Sequence, residues 1–456
     1  FSPYATIAGA EADAVSGDII YIASNIIEAE CGKDGLTYIY GKGVIHSYPD
    51  TSPNISGQNW NAVYTDFGKG NISFTIMGGI LEFGSYWTGS WRRSIVRLEN
   101  ESSCTITKAE TLRGDYRAND GNMFHLNGEG SSIDVSCTGD LYNPWKVLVV
   151  GRNNHKVKLR VDGSVFSLND SGANFVSSHG VNNDIHISIG MVLNIGGHPL
   201  GSARAMIKIN RSNAPAGSFP QTRLYLSASV VDFYDKLPHK GADERGLIYC
   251  DQRADAYISF NADIVKINHD VNDPSLPGTY NAGRTAFIGA SQNDSDFKLV
   301  VDCNVRLMLL GVNHNFSYFR LMKNTAIAAS KNNITVNLID STIVSYTDNS
   351  SSYTDWKDLS TVLNLSLFNP EFVNYVFNGT TKVIINPAGI AAGKVAIGDD
   401  TNDSAYIVGE FISNATVKNS TFVDDFTGVS QSAGIPKMKL LVNNQMTDYT
   451  KYERLL

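Results

Sequence analysis

The stretch KVLVVGRNNHKVKLRVDGSVFSL (residues 146–168) and its successor ANFVSSHGVNNDIHISIGMVLNI (173–195) follow one plan. Each has a short apolar alternation, a small polar turn and a longer alternation. The same plan recurs along the chain in residues 93–112, 121–142, 146–168, 173–195, 205–233, 246–267, 285–310 and 318–346. Repetition at roughly 25–45 residues indicates a solenoid. Because the units are strand–turn–strand with no helix between them, we predict a β-solenoid with one coil per copy.

The composition narrows the function before any motif is considered. The 456 residues carry a net charge of −8, with 42% apolar and 18% charged residues. An acidic balance argues against a nucleic-acid partner, since phosphates need a positive field, although a local basic cleft could still hold an anionic glycan. No apolar run approaches the length that spans a bilayer, so we expect no membrane insertion.

The cysteines and the start of the chain give two smaller expectations. Four of the five cysteines fall on predicted strands and none has a C-x-x-C spacing, which favours reduced, buried thiols over a metal site or disulfides. The chain begins at Phe1 without a signal-peptide pattern, which we interpret as a fragment or a processed form.

The N-terminal stretch TIAGAEADAVSGDIIYIASNIIEA (6–29) predicts a short helix over residues 8–15, a turn at 16–18 and a strand over 19–23. The following GLTYIYGKGVIHSY (35–48) predicts a strand, a glycine turn and a second strand. A solenoid must hide the apolar end of its first coil, and a polar-backed helix is a common lid.

The Ala-rich helix, SGDIIYI and the YIYGKG turn together resemble the entry of the right-handed parallel β-helix family of pectate-lyase-like proteins. The Asn/Ser/Thr-rich body resembles the bacteriophage tailspike branch of that family, over roughly residues 5–390. The resemblance implies an all-β, right-handed, single-stranded parallel β-helix with an N-terminal helical cap and a trimeric assembly. It also implies a polysaccharide depolymerase on the virion tail, whose partners are a bacterial surface polysaccharide, two further copies of the chain and other tail or baseplate proteins reached through a missing N-terminal region.

The pattern divides the chain into an N-terminal cap with entry strands (1–48), a β-helix body with an edge-loop groove (49–346), and last coils with a C-terminal cap or oligomerisation region (347–456). Within the body we predict two inward rows of stacked side chains. The first row is Val96, Phe124, Leu148, Phe175, Ile207, Ile248 and Phe287; the second is Leu98, Leu126, Val150, Ile209, Cys250 and Met322. The outward column beside the second row would be Glu99, Asn127, Gly151, Ser178, Asn210, Asp251, Ala290 and Lys323.

Connections between coils should meet at one edge of the solenoid, where insertions commonly form a binding face. Six loops meet this description: 84–93, 113–122, 143–145, 196–204, 234–246 and 268–284. Their aromatic and charged residues are candidates for stacking on sugars and for bonding their hydroxyls, although the tryptophans could equally pack on the solenoid flank. The substrate-binding candidates are Trp87, Trp91, Arg93, Tyr116, Arg117, Trp145, Tyr234, His239, Arg245 and Tyr249.

Glycoside hydrolysis needs two carboxyl groups, about 5–5.5 Å apart for retention and 6.5–9.5 Å apart for inversion. Equivalent positions on strands about 4.8 Å apart therefore suit retention one coil apart and inversion two coils apart. The most charged edge loop and its neighbours supply the candidate catalytic carboxylates, which are Asp232, Asp235, Asp243, Glu244 and Asp251. Asp115 and Asp120 form a second set; an Asp232–Lys266 ion pair or a solvated turn at 243–245 would be the non-catalytic outcome.

A lyase on the same fold is the runner-up, because it needs a base and a cation to neutralise a uronic carboxylate. His239, Lys240, Tyr249 and Arg245 could serve, and His125, His186 and His198 are alternatives that we expect to be plain surface or edge residues. Calcium ligands would have to come from Asp270 with Asp273 or Asp294 with Asp296. Lacking a convincing metal cluster, we predict no metal and no cofactor.

We therefore expect an endo-acting glycoside hydrolase, the host-recognition spike of a phage tail, that depolymerises a capsule, exopolysaccharide or O-antigen. A non-catalytic glycan-binding adhesin is the rival class. A secreted pectinase-like enzyme is a third possibility.

Overall fold

The computed structural model describes the backbone of most of the N-terminal half and of strands beyond it. The described residues are 3–49, 60–66, 68–83, 92–114, 121–143, 146–167, 174–195, 205–210, 221–235, 246–250, 255–269, 286–290, 298–310, 317–321, 334–339, 342–348, 373–378, 382–388, 416–418, 439–442 and 445–448. Side chains are described for 3–49, 62–66, 68–83, 94–114, 121–143, 146–167, 174–195, 206–210, 221–233, 247–249 and 255–265.

The chain separates into two compact units, residues 1–229 and residues 230–456. The first unit holds one helix and nineteen described strands, and a further strand crosses the boundary. These elements are α1 (Ile7–Asp13), β1 (Ile19–Ile22), β2 (Ile26–Ile27), β3 (Thr37–Tyr40), β4 (Ile45–Tyr48), β5 (Trp60–Thr65), β6 (Ser73–Met77), β7 (Ile80–Phe83), β8 (Arg92–Leu98), β9 (Ser103–Ala109), β10 (Thr111–Gly114), β11 (Asn122–Leu126), β12 (Ser132–Cys137), β13 (Leu141–Tyr142), β14 (Lys146–Val150), β15 (Lys156–Val161), β16 (Val165–Ser167), β17 (Asn174–Ser178), β18 (Asp184–Ile195), β19 (Ala205–Ile209) and β20 (Thr222–Asp235).

The second unit is described through twelve further strands. They are β21 (Gly246–Cys250), β22 (Asp255–His269), β23 (Ala286–Ala290), β24 (Lys298–Leu310), β25 (Ser317–Leu321), β26 (Ile334–Ile339), β27 (Thr342–Asp348), β28 (Val373–Asn378), β29 (Lys382–Ala388), β30 (Thr416–Lys418), β31 (Lys439–Val442) and β32 (Gln445–Asp448). The strands from β21 to β30 pair in parallel wherever their register is defined, as β22 does with β24 and β26 with β28. The short pair of β31 and β32 is antiparallel.

The first unit repeats a three-strand coil, and each strand pairs in parallel with its counterpart in the next coil. We call the three resulting series the first ladder (β5, β8, β11, β14, β17, β19), the second ladder (β6, β9, β12, β15 and the start of β18) and the third ladder (β7, β10, β13, β16 and the end of β18). Long parallel sheets with almost no helix are consistent with the predicted β-solenoid, and the predicted strands 19–23 and 35–48 are confirmed as β1, β3 and β4.

The register of the first ladder corrects two of the predicted rows. Leu148 pairs with Val176, so Val176 and not Phe175 belongs to the first inward row. Val150 pairs with Ser178, which places Ser178 in the second row and leaves His179, whose N–H bonds to the Val150 carbonyl, in the column assigned to Ser178.

The second unit shows the same one-residue shift in the predicted rows. Ile248 pairs with Ile288 and Ile288 with Phe319, so Ile288 replaces the predicted Phe287. Cys250 pairs with Ala290, and Ala290 pairs with Leu321 instead of lying beside Met322. Ala290 therefore belongs to the row and not to the outward column in which we had predicted it.

Burial differs between the ladders of the first unit. All five residues of β11 and of β17 are buried, so both faces of these strands are covered. On the second ladder burial alternates, and β15 exposes every other side chain. The turns of adjacent coils approach each other closely. A Cβ on Gly180 would lie 2.1 Å from the carbonyl oxygen of Arg152, so this position has no room for a side chain.

The predicted N-terminal helix is confirmed as α1 and is held by side chains of the first coils. The Glu28 carboxylate accepts hydrogen bonds from the Ile7 and Ala8 N–H groups, at 2.6 and 2.8 Å. Glu11 accepts from the Gly32 N–H and the Tyr38 hydroxyl, and its pKa is raised chiefly by burial. Lys33 donates from Nζ to the carbonyls of Glu11 and Ala14.

The predicted state of the thiols is confirmed where the structure describes them. Cys31, Cys104 and Cys137 are free and buried. Among the described residues, no helix is both long and apolar enough to cross a membrane.

Candidate functional site

Two of the five predicted catalytic carboxylates belong to a described strand. Asp232 and Asp235 lie in β20, where Asp232 is half-buried. Asp243, Glu244 and Asp251 lie outside the described residues, as do Asp115 and Asp120. The proposed pairing of these carboxylates therefore stays a prediction.

Of the predicted sugar-binding residues, three belong to described strands. Tyr249 lies in β21 and is buried, with 3% of its surface exposed. Arg93 lies in β8 and Tyr234 in β20, with the backbone alone described. Outside the described residues are Trp87, Trp91, Tyr116, Arg117, Trp145, His239 and Arg245.

The residues weighed for the lyase alternative occupy different environments. His125 is buried in β11, which corrects its expected place at the surface or an edge, whereas His186 is exposed and bonds to Asp184. The candidates outside the described residues are His198, Lys240, Asp270, Asp273, Asp294 and Asp296. Among the described residues, no group of three or more His, Cys, Asp or Glu could hold a metal ion.

The strand ends that carry the predicted loops of the first unit are stacked in register. The predicted loops 84–93 and 113–122 are shorter than expected, since residues 92–93, 113–114 and 122 belong to strands. Residues 84–91 and 115–120 follow Phe83 and Gly114, which are paired on β7 and β10. The chain returns from these loops into β8 and β11, which are also paired. Third-ladder strands therefore end, and first-ladder strands begin, along one edge, so that the bases of successive loops are neighbours in space.

The third ladder presents an outward row of side chains next to that edge. Each member is the penultimate described residue before a connecting loop or occupies the equivalent register position. This row, which we call the loop-edge column, consists of Ser47, Glu82, Arg113, Tyr142, Phe166 and Asn194. It places a hydroxyl, a carboxylate, a guanidinium, two aromatic rings and an amide on consecutive coils.

The polar end of the loop-edge column is an ordered chain of contacts. The Ser47 hydroxyl donates to Glu82 Oε1 at 2.5 Å, and Arg113 Nη1 lies 3.9 Å from Glu82 Oε2. The side chains of Arg113 and Glu82 remain 47% and 27% exposed. Glu82 thus lies on one side of Arg113 at the outer limit of an ion pair, while the solvent-exposed guanidinium edge is free to bind an anion or a hydroxyl oxygen.

The aromatic part of the loop-edge column is a stacked pair. The Tyr142 and Phe166 rings lie 4.9 Å apart between centroids and 8° from parallel. Tyr142 keeps 39% of its surface exposed, and its hydroxyl donates to Asp140 Oδ2 at 3.1 Å. The pKa of Tyr142 is raised, mainly by partial burial and to a smaller extent by that hydrogen bond, so the hydroxyl stays protonated.

Buried amides with unused acceptors line the same edge. Asn194 Oδ1 accepts no hydrogen bond within the described part of the chain, and neither do Asn122 Oδ1 and Asn174 Oδ1 at the starts of β11 and β17. Asn143, at the end of β13, is satisfied, since its Nδ2 donates to the carbonyls of Lys146 and Gly121. Amide acceptors without donors are costly when buried.

The loop-edge column was missed at the sequence level, although the signal for it exists. In each coil the member of the column is the last outward residue before the connection. It is the first residue of each of the pairs Glu82-Phe83, Arg113-Gly114, Tyr142-Asn143, Phe166-Ser167 and Asn194-Ile195. Aligning coils by the end of the third strand, instead of by the first strand, would have placed Tyr142 beside Phe166.

Comparisons with protein-family models, with curated proteins and with solved structures found no match for this chain.

Proposed function

We propose that this protein is the host-recognition spike of a bacteriophage tail, which binds a bacterial surface polysaccharide and cleaves it within the chain. The observation that carries the proposal is the loop-edge column. Stacked rings, a partly exposed guanidinium and a carboxylate lie in register along one edge. Aromatic rings offer an apolar surface and the polar groups offer hydrogen bonds, and a sugar needs both kinds of contact.

The sequence of the adjoining loops supports the same reading of this edge. The loop that follows Glu82 carries Trp87 and Trp91, the loop that follows Arg113 carries Tyr116 and Arg117, and Trp145 lies two residues after Asn143. A polymer lying along the column would pass successive coils about 4.8 Å apart, each presenting different side chains. An extended glycan is therefore a better fit than a small molecule.

Endo-glycosidic hydrolysis is the reaction that we propose. Its carboxylate pair would come from Asp232, Asp235, Asp243, Glu244 and Asp251, one acting as general acid and the other as nucleophile or base. Glu82 has a different role, since it is engaged by Ser47 and faces Arg113, and so positions the cation.

Three finer features of the fold belong to the proposal. We take the β-helix to be right-handed and single-stranded, since crossover connections between parallel strands overwhelmingly have that hand. Helix α1 would act as the lid of the first coil, an assignment supported by its anchoring through Glu11, Glu28 and Lys33. The assembly would be a homotrimer on the virion tail, joined to other tail or baseplate proteins.

The test is to incubate the protein with a panel of capsular, exopolysaccharide and O-antigen preparations. New reducing ends with falling viscosity are expected for a hydrolase. Absorbance from an unsaturated uronate would instead select the lyase, and retention of the glycan without cleavage would select the adhesin.

A double variant, Tyr142→Ala with Phe166→Ala, ties the activity to the loop-edge column. We expect roughly tenfold weaker binding of oligosaccharide, equivalent to about 1.4 kcal/mol. Tyr21→Ala is the matched control, because Tyr21 is an exposed ring on β1 away from the column. Unchanged binding in the double variant would remove the column from the site.

A separate set of variants tests which carboxylates are catalytic. Each of the five carboxylates is replaced by its amide, and at least two replacements should abolish cleavage while leaving glycan binding intact. Full depolymerising activity in all five variants would overturn the assignment of the pair without touching the binding column.

A further inference from the structure

A second outward surface of the first unit differs in chemistry from the loop-edge column. It lies on the second ladder, where β15, β18 and β20 are neighbours, and we call it the basic face. It consists of Lys156, Lys158, Arg160, His186, Arg223 and Tyr225. All of these side chains are exposed except Tyr225, which is half-buried.

The centre of the basic face is a ring stack. The His186 and Tyr225 rings lie 4.4 Å apart between centroids and 13° from parallel. Lys158 pairs with His186 in the strand register, so the lysine, the imidazole and the phenol follow one another on successive coils. The stack has a cation at one end and further cations on its flanks.

The charges on this face are unevenly matched. Asp162 holds Arg160 through Nε at 2.8 Å, and Asp184 holds His186 through Nε2 at 3.1 Å. Asp134 lies beside Lys158 in the register of β12, and Asp184 lies in the register between Lys156 and Arg223. Within the described part of the chain, Lys156, Lys158 and Arg223 form no ion pair. Two of these cations lie on β15 and the third lies on β20, with β18 between the two strands, and all three are available to a ligand.

These cations stand out because the chain as a whole has a net charge of −8. A flexible surface lysine is normally solvated and contributes little. Two cations on β15 and a third two coils further on, where each coil adds about 4.8 Å, match a ligand with repeated negative charges. The ring stack adds an apolar surface that a bare polyanion does not use. Both features together select a polymer of acidic sugars.

We propose that the basic face binds the uronate-bearing stretch of an acidic polysaccharide, with Lys156, Lys158 and Arg223 on the carboxylates and the His186–Tyr225 stack against a sugar ring. The inference rests on the proposed function for the kind of polymer, but the basic face lies on the second ladder and the start of β20, whereas the loop-edge column lies on the third ladder. It assigns the substrate class: an anionic glycan whose contact with the spike extends beyond the groove.

The probe is polygalacturonate, measured for binding to the intact chain at about 0.02 M and about 0.5 M NaCl, with neutral dextran beside it. The triple variant Lys156→Gln, Lys158→Gln, Arg223→Gln should bind polygalacturonate at least about tenfold more weakly at low salt. The matched control removes the same charge from exposed turn and bulge lysines, through Lys42→Gln, Lys69→Gln and Lys108→Gln. Equal losses in the two triple variants would overturn the assignment, since net charge would then explain the binding.

Tyr225→Ala separates sugar recognition from plain electrostatic capture. We expect it to weaken polygalacturonate binding several-fold and to leave binding of inorganic polyphosphate unchanged, with Tyr21→Ala as the exposed-ring control. If Tyr225→Ala affects neither polymer, the face captures polyanions without reading sugars and the inference fails. Binding of polygalacturonate through these residues without cleavage of any bacterial glycan would contradict the proposed function and leave this inference standing. Depolymerisation of a glycan without such binding would contradict this inference and leave the proposed function standing.

Discussion

The first and second ladders of the first unit are built from the same coils and yet face different surroundings. Strands of the first ladder, such as β11 and β17, are buried on both faces, although both strands also carry polar residues. Strands of the second ladder bury one face and expose the other. The difference indicates where the molecule can bind a ligand. The first ladder is buried and contributes to stability, whereas the second and third ladders have outward side chains that a ligand can contact.

The largest expected effect comes from removing an aromatic ring from the first ladder. Phe175 points away from the inward row but is fully buried, so Phe175→Ala should lower the free energy of unfolding by about 3–5 kcal/mol. Tyr142→Ala, on the exposed side of the third ladder, should cost about 1 kcal/mol or less. Urea unfolding followed by circular dichroism measures both; similar costs would mean that the two ladders do not differ in burial.

That ring also shows what the sequence could and could not predict. Parallel strands, the turn positions and helix α1 follow from alternation and from the Ala-rich start. The register of β17 does not, because a strand buried on both faces has no polar face to set its phase, and Phe175 and Val176 fit the row equally well. The same ambiguity produced the shift at Phe287.

The candidate site was predictable only in its location. Sequence reasoning placed it at the edge where coils connect, and the paired ends of β7 and β10 agree with that. It could not find the stack of Tyr142 on Phe166, because the two residues are brought together by a register that the first strands do not determine.

Two arginine–carboxylate pairs, each separated by two positions in the sequence, test the same difference in burial between the first and second ladders with ion pairs instead of apolar side chains. Arg97 and Glu99 on the first ladder lie 2.6 Å apart with side chains 10% and 15% exposed. Arg160 and Asp162, on and just beyond β15 of the second ladder, lie 2.8 Å apart at 72% and 47%. Arg97→Gln should cost about 3 kcal/mol because it leaves a buried carboxylate without its cation, whereas Arg160→Gln should cost no more than about 1 kcal/mol.

The measurement is again the urea midpoint, repeated at high salt. Salt should reduce the small effect of Arg160→Gln and leave that of Arg97→Gln nearly unchanged, since buried pairs are screened much less. A salt-sensitive Arg97 effect would contradict the buried setting of this pair.

Buried histidines should make the stability of the protein depend on pH, whereas an exposed histidine should not. Burial lowers the pKa of His46 and of His155 to about 4, and both are neutral in the folded chain. His46 accepts from the Tyr40 hydroxyl at Nδ1 and, as the neutral tautomer, donates from Nε2 to the Glu28 carbonyl. His155 donates from Nδ1 to the Ser131 carbonyl.

Because the folded pKa lies below the ordinary value, each group contributes stability that is complete above about pH 6.5 and is lost as the pH falls toward 4. The loss should amount to roughly 3 kcal/mol for each histidine. His155→Gln should flatten the dependence of the unfolding free energy on pH over this window, whatever it does to absolute stability. His186→Gln, at the surface, is the control; an unaltered slope for His155→Gln would exclude its part in acid unfolding.

The smallest expected effect is the coupling between the two rings of the loop-edge column, and it decides whether that column is a preformed platform. A double-mutant cycle of Tyr142→Ala and Phe166→Ala should give a coupling energy of about 0.5–1.5 kcal/mol, the usual range for stacked aromatic pairs. On a protein surface this is enough to hold both rings in one orientation before a ligand arrives, so the sugar would not have to order them. Repeating the cycle on glycan affinity should then show the two single variants each losing most of the binding that the double variant loses. Additive losses would mean that the rings bind separately, and the third ladder would then offer isolated contacts instead of a platform.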